Sequence, residues 1–240
     1  MIAPDLQVDI VKTEELTTRQ KEEMFVLMQG YFEEVRRDMF ESDLAEKDWV
    51  VRLLETGSGR VRGFSTLMIM KDEVAGVPVR AFYSGDTIIH RSCWRAFSLE
   101  RRWIPFVFSH VSLEPQARWY WFLLCKGYRT FRYLPIYFKR YLPSPGYTAT
   151  FEQDILNHLA TKKFGNAYDA REGVIRRPQD YRLRPGVGDI TDRKMKNRHI
   201  SYFANKNPGW KSGAELACLV ELKEQNLRPA FLRVLKSQGA

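Results

Sequence analysis

Asp86 and His90 stand four residues apart in the stretch Ala81 to His90 (AFYSGDTIIH), which is rich in aromatic and β-branched residues and free of proline. Such a stretch reads as a β-strand. The side-chain period of two then places both residues on one face, with Thr87 and Ile89 turned the other way. A histidine suits proton transfer near neutral pH, and a carboxylate beside it can hold either the imidazole or an acceptor ammonium. The alternative is structural, with Asp86 binding backbone at a bulge and His90 packing at the strand's end.

The next six residues, Arg91 to Ala96 (RSCWRA), form a basic connection into a helix of about Ser98 to Val111. Ser98 is placed as its N-cap and Glu100 in its first turn, and Pro105 predicts a kink or a late start. Cations and free backbone N–H groups at a helix N-terminus are a natural phosphate site.

The strand, the loop and their flanks resemble the GNAT superfamily of acyltransferases. In that family a central strand splays from its neighbour, a thioester's pantetheine arm pairs with the strand's backbone, and a loop of the form Arg/Gln-x-x-Gly-x-Gly/Ala wraps the donor's pyrophosphate. Here Arg91 and Ala96 match the loop's ends and Trp94 replaces its central glycine. The resemblance covers roughly residues 8 to 143 and rests mainly on the order of elements. It implies that backbone N–H groups around Ile88 and Ile89 receive the thioester carbonyl, with Arg91, Arg95, Ala96, Phe97 and Ser98 also holding the donor. It implies that Tyr137, within the helix-like run Tyr128 to Tyr141, protonates the departing thiolate, with Tyr133 one turn earlier as the other choice. Arg36, Phe40 and Asp43 echo an acceptor-side passage of the acyl-carrier-dependent branch, the N-acyl amino acid synthases and autoinducer synthases.

Trp94 bears on the donor. Free coenzyme A needs a close backbone approach that glycine normally permits, whereas a carrier-bound phosphopantetheine presents a single phosphate. Arg91, Arg95, Arg101 and Arg102 then make a platform for an acidic acyl carrier protein. The co-substrate is an acyl-CoA or an acyl-phosphopantetheine thioester, with no permanently bound cofactor. A greasy slot for a fatty chain can draw on Phe97, Trp119, Trp121, Phe131 and Ile136.

Composition sets the outer limits. The chain has 240 residues, 44% hydrophobic and 13% aromatic, ample for a packed core, and its 38 basic against 29 acidic side chains give +9. Cationic excess favours acidic or phosphate-bearing partners. The segment 176–198 carries eight basic and three acidic residues, yet no nucleic-acid-binding signature accompanies it, so no nucleic acid is expected. Cys93, Cys125 and Cys218 form no CxxC pair, which fits reduced thiols in a cytoplasmic protein. His90 and Cys93 have a ligand-like gap but no second pair, so no metal is expected. No stretch approaches the ~18 apolar residues of a membrane span, and the N-terminus lacks a secretory pattern.

The elements that must position these residues follow from periodicity. Gln7 to Thr13, Trp49 to Thr56 and Val61 to Lys71 read as strands, the last two joined by a glycine-bearing hairpin turn. Thr17 and Gln20 form a capping box before apolar residues at helical spacing, Met24, Phe25, Met28 and Tyr31. A turn at Asp72 to Pro78 leads into the Asp86 strand. Arg118 to Cys125 reads as a further strand, Thr150 to Lys163 as a helix, Glu215 to Leu222 as a strand and Arg228 to Leu235 as a terminal helix. The expected fold is α/β: a GNAT-like mixed, mainly antiparallel sheet flanked by helices. Residues 1–143 form the core, and 144–240 an extension packed on it that completes the sheet.

The function expected is N-acyl transfer, a fatty acyl group included, from a carrier-protein or CoA thioester to an amine of an amino acid or of a peptide lysine or ornithine side chain. Lipidation in natural-product biosynthesis is one setting. The alternatives are an acetyl-CoA-dependent small-amine acetyltransferase, a non-catalytic scaffold of the same fold, or a nucleic-acid-binding protein.

Overall fold

The computed structural model describes residues 5–94, 99–177 and 181–236. Strand β1 (Leu6–Lys12) leads to α1 (Thr18–Tyr31), whose N-terminus carries the capping box. Thr17 Oγ1 accepts from the Gln20 N–H at 3.2 Å, and the Gln20 side chain accepts from the Thr17 N–H at 3.1 Å. The chain continues through α2 (Arg37–Ala45), β2 (Trp49–Glu55), β3 (Val61–Val74) and β4 (Val77–Ile89). The β3–β4 turn is tighter than Asp72 to Pro78: Ala75 and Gly76, both at positive φ, suffice to reverse the chain between paired Val74 and Val77.

Next come α3 (Leu99–Leu113), β5 (Arg118–Cys125), α4 (Tyr128–Phe131) and α5 (Tyr133–Tyr137). Helix α3 begins at Leu99 and runs on through Pro105, so the expected late start does not occur. The single helix expected over Tyr128 to Tyr141 is instead two short ones. Pro135 has no N–H to give the Phe131 carbonyl, so the first helix stops there. The last third adds α6 (Thr150–Phe164), β6 (Tyr168–Asp169), β7 (Val174–Ile175), α7 (Asp192–Met195), α8 (Arg198–Lys206), β8 (Glu215–Glu221) and α9 (Pro229–Lys236).

These strands form one eight-stranded sheet, in the order β1-β2-β3-β4-β5-β8-β7-β6. All neighbours are antiparallel except β4 and β5. The sheet is thus mixed, mainly antiparallel and helix-flanked, as expected, and β6, β7 and β8 complete it. One face buries Val51, Leu67, Phe82 and Trp121 against α3, α5 and α9. The other packs α6 over β5 and β8, and α1 and α2 over β2 to β4. Arg118 ties β5 to β8 and α6 through Glu221 at 2.7 Å and Glu152 at 2.8 Å.

Cys125 and Cys218, far apart in sequence, come together on neighbouring strands with sulfurs 3.7 Å apart, both buried as free thiols. The basic segment after 176 is partly neutralised at home. Arg177 pairs with Glu215 at 2.7 Å and Arg182 lies against Glu33 and Glu34. Its backbone is strapped to the end of α1 by Arg184 N–H to the Tyr31 carbonyl, 2.9 Å, and Glu33 N–H to the Arg182 carbonyl, 2.8 Å. Among the described residues no helix is long and apolar enough to cross a membrane.

Candidate functional site

The site is made by a failure of strand pairing. β4 and β5 run parallel from Val79↔Arg118 to Ser84↔Leu123 and then part, while β4 stays paired with β3 as far as Ile89↔Gly63. The cause lies in β4 itself. Between Ser84↔Leu67 and Thr87↔Ser65, two residues of β4, Gly85 and Asp86, oppose the single residue Thr66. A bulge of this kind bends its strand and sharpens the local twist. Beyond it, the edge of β4 that faced β5 has no strand beside it.

A cavity of about 610 Å³ passes through the sheet at this gap. On the α1 side its walls include Tyr31, Phe32, Leu183 and Val187, and on the α3 side Val51, Trp103, Trp121 and Phe231. The N–H of His90 donates to Arg62 of β3 at 2.7 Å. By the alternation of an antiparallel ladder, Ile89 and Thr87 therefore turn their backbone groups to the gap and Ile88 does not. The gap-facing backbone groups are those of Thr87 and Ile89, while those of Ile88 belong to the ladder with β3. The Ile88 side chain packs into the core under α1.

Asp86 stands at the bulge on the α2 side, among charged groups from α2, from β8 and from the loops that follow α2 and β5. Its carboxyl pKa is raised to about 7, first by burial and then by the Asp43 carboxylate, against the pull of Lys126 and Lys47. Lys47 is fully buried, 2.8 Å from Asp43 Oδ1 and 2.8 Å from the Asp43 carbonyl. Lys126 donates to the Tyr181 carbonyl at 3.0 Å and lies 3.7 Å from Glu215.

Gly85 is required here by contact rather than by φ. A Cβ on it would sit 2.6 Å from Thr66 Oγ1, 2.8 Å from Lys47 Cε and 3.6 Å from Asp43 Oδ2. Thr66 Oγ1 is itself buried with no hydrogen-bond partner. Two carboxylates, a buried ammonium and an unanswered hydroxyl thus meet beside the gap. Such a cluster can hold an amine and accept its proton.

The other anticipated residues fall in distinct places. His90 lies one residue past the end of β4, four residues or roughly 13 Å along the strand from Asp86. Sharing a face therefore does not make them a pair. Its Nδ1 is 2.8 Å from Ser92 Oγ, and burial together with Arg62, Arg60 and Arg91 lowers its pKa. Arg91 is exposed, its backbone N–H on the hydroxyl of cavity-lining Tyr31 at 2.6 Å and its guanidinium 5.7 Å from that ring.

Tyr133 and Tyr137 stack at 5.4 Å and both line the cavity, with Tyr137 against Phe231 at 3.8 Å. Of the acceptor-side trio, Asp43 reaches the Asp86 cluster. Phe40 is buried against Phe25 at 5.5 Å, and Arg36 pairs with Asp38 on the surface. Of the slot residues, Trp121 and Ile136 line the cavity, whereas Trp119 and Phe131 pack in the core. Arg95, Ala96, Phe97 and Ser98 lie outside the described residues. Among the described residues no cluster of three or more potential metal ligands occurs.

Trp94 folds back under the end of β4. Its indole N–H donates to the Ile89 carbonyl at 2.7 Å, and the Arg129 guanidinium lies 4.0 Å over its ring. Thr66, Gly85, Lys47 and Lys126 were not singled out from the sequence. The one local signal was Gly85 inside an otherwise bulky strand, which marks a bulge or a close approach.

Two consequences can be measured. Gly85→Ala overpacks a site with buried neighbours and is expected to cost about 1–3 kcal/mol, lowering Tm by roughly 2–4 °C per kcal/mol in a chain of this size. A scanning-calorimetry Tm equal to the parent's would refute the close-approach account. Folded Asp86 keeps its proton to about pH 7, whereas an unfolded aspartate loses it near pH ~4. Ionising Asp86 therefore opposes folding progressively between those values and fully above them. Asp86→Asn is expected to gain stability relative to the parent as pH rises from 4 to 8, and a pH-independent Tm difference would contradict this.

No protein-family model matches the chain, and no curated protein matches it. Several solved structures are similar over part of it. A probable N-acyltransferase from Enterococcus faecalis is 12% identical with a TM-score of 0.39, covering 57% of this chain and 33% of its own. This chain thus spans about a third of that protein's length. A GNAT family N-acetyltransferase from Escherichia coli, in complex with CoA, is 15% identical with a TM-score of 0.37, covering 54% of this chain and 68% of its own. Glucosamine-6-phosphate N-acetyltransferase from Arabidopsis thaliana is 12% identical with a TM-score of 0.36, covering 50% and 82%. With TM-scores below 0.5, none of these fixes the family of the chain.

Proposed function

We propose that this chain is an N-acyltransferase that moves an acyl group from a thioester to an amine. The observation that carries the reading is the unpaired edge of β4 opening onto a cavity that crosses the sheet beside Asp86. A thioester arm laid along Thr87 and Ile89 meets backbone N–H groups that no strand satisfies, the Ile89 carbonyl being held by the Trp94 indole, and it brings the carbonyl to the bulge. The amine enters from the α2 side, held as an ammonium by Asp43 and Asp86.

Asp86 takes the amine's proton, the nitrogen attacks the thioester carbon, the C–S bond breaks, and Tyr137 protonates the departing thiolate. The products are an amide and a free thiol. A carboxyl poised near neutral pH suits the first transfer. His90 stands just past the end of β4, near Arg60, Arg62 and Arg91, and belongs to donor docking in this scheme.

The finer reading is a fatty acyl group on an acyl carrier protein, passed to an amino acid or to a lysine or ornithine side chain. The slot of Trp103, Trp121, Ile136 and Phe231 suits a chain longer than acetyl. Trp94, pinned beneath Arg129, stands where the resemblance puts the glycine that lets a backbone approach a nucleotide's pyrophosphate. Exposed Arg60 and Arg91, near the end of β4, favour an acidic partner there.

Thiol release and intact mass of the acceptor, measured across acyl-CoA and acyl-carrier thioesters with a panel of amines, test the reading. An acyl mass gain on one amine is expected, and no thioester consumed would overturn it. Asp86→Asn is expected to lower kcat by about 10²–10⁴-fold and Tyr137→Phe by about 10²-fold. The parent's kcat/KM is expected to rise with pH through about 7 as Asp86 ionises, and a flat profile would remove Asp86 as the base. Trp94→Gly is expected to improve kcat/KM for acyl-CoA relative to the carrier-bound donor. An unchanged ratio would remove Trp94 as the donor filter.

A further inference from the structure

The slot on the α3 side of the gap is lined largely by aromatic and aliphatic side chains, and a group of hydroxyls borders it along β3 and β4. There Ser65 of β3 and Ser84 and Thr87 of β4 stand together, all three bordering the cavity. Elsewhere the same sheet face presents Val51, Leu67 and Phe82, so three adjacent hydroxyls break its pattern. Ser65 and Ser84 are buried. Ser65 Oγ and Thr87 Oγ1 share one hydrogen bond of 2.8 Å, and the Trp121 Nε1–H donates to Ser84 Oγ at 2.7 Å.

A hydroxyl has one donor and two acceptor positions. The Ser65–Thr87 pair therefore retains one O–H to give, and Ser84, which only accepts from Trp121, retains its own. Both hydroxyl groups border the cavity, within reach of a ligand that fills it. A slot built for plain hydrocarbon would do better with alanine and valine, because buried hydroxyl groups covered by an alkyl chain lose water without recompense.

Resting on the N-acyltransferase reading, we infer that the donor's acyl group carries an oxygen substituent, a hydroxyl or keto group near the thioester, held by Ser65, Ser84 and Thr87. The hydrocarbon beyond it lies against Val51, Trp103 and Trp121. Position supports this placement: Ser84 is the last residue of β4 paired with β5, and Thr87 follows the bulge where the thioester carbonyl rests. The oxygen therefore belongs within a few atoms of that carbonyl. The three residues select the donor and take no part in bond making.

The test compares carrier-bound thioesters of one chain length, saturated, 3-hydroxy and 3-oxo, with kcat/KM and thermal-shift binding read for each. An oxygenated chain is expected to be preferred about ten-fold, the scale of one or two hydrogen bonds. In Ser65→Ala/Thr87→Val the preference falls toward one, whereas Thr87→Ser, which keeps the hydroxyl, retains it. Whichever oxygenated chain the parent prefers distinguishes hydroxyl from keto recognition. Turnover with no preference, or an equal loss for all three donors in the double variant, overturns this inference and leaves the acyl-transfer reading standing. Absence of both turnover and binding for every thioester overturns the two together.

Discussion

One extra residue in β4 governs the architecture of the site. With Gly85 and Asp86 set against Thr66, the strand cannot follow both neighbours, and it follows β3. Pairing with β5 ends at Ser84↔Leu123, and a gap opens in the middle of an eight-stranded sheet. Backbone polar groups inside a protein are normally paired, so a central strand edge with no strand beside it is a site in waiting. The surrounding structure holds the gap open. Trp103 and Trp121, with ring centroids 4.5 Å apart, fill one face, and the strap through Leu183 and Val187 walls the other.

The same bulge fixes the electrostatics. It turns Asp86 toward α2, where Asp43 and a buried Lys47 already face each other, and where any side chain at Gly85 would collide with Thr66 and Lys47. Burial outweighs the two lysines, and the carboxyl keeps its proton to about pH 7. A group held this way opposes the fold once it ionises, so the chain gives up stability for a carboxylate poised to exchange protons.

Much of this frame was legible in the sequence, because the frame is local. Alternation marked β1 to β5 and β8, and the Thr17–Gln20 box and the spacing of Met24, Met28 and Tyr31 marked α1. Asp86 could be chosen from its type and its place on an aromatic strand. Its partners could not, because they depend on register. The proximity of Asp43 follows from how α2 docks, and that docking is set by Phe40 and Leu44, four residues apart and both buried. In sequence alone Arg36, Phe40 and Asp43 therefore look equivalent. His90 was joined to Asp86 by a shared face, but two residues of the same parity can still be two pleats apart. Thr66 carries no sequence signal, since its importance comes from lying opposite a bulge.

The central claim is that the open edge of β4 receives an acyl-thioester arm. Amide hydrogen exchange at Thr87 and Ile89, with and without a saturating non-hydrolysable acyl-phosphopantetheine analogue, tests it most directly. Protection of these two amides, with the β3-paired amide of His90 unchanged, is the expected result. Exchange at Thr87 and Ile89 that is indifferent to the analogue would contradict the account.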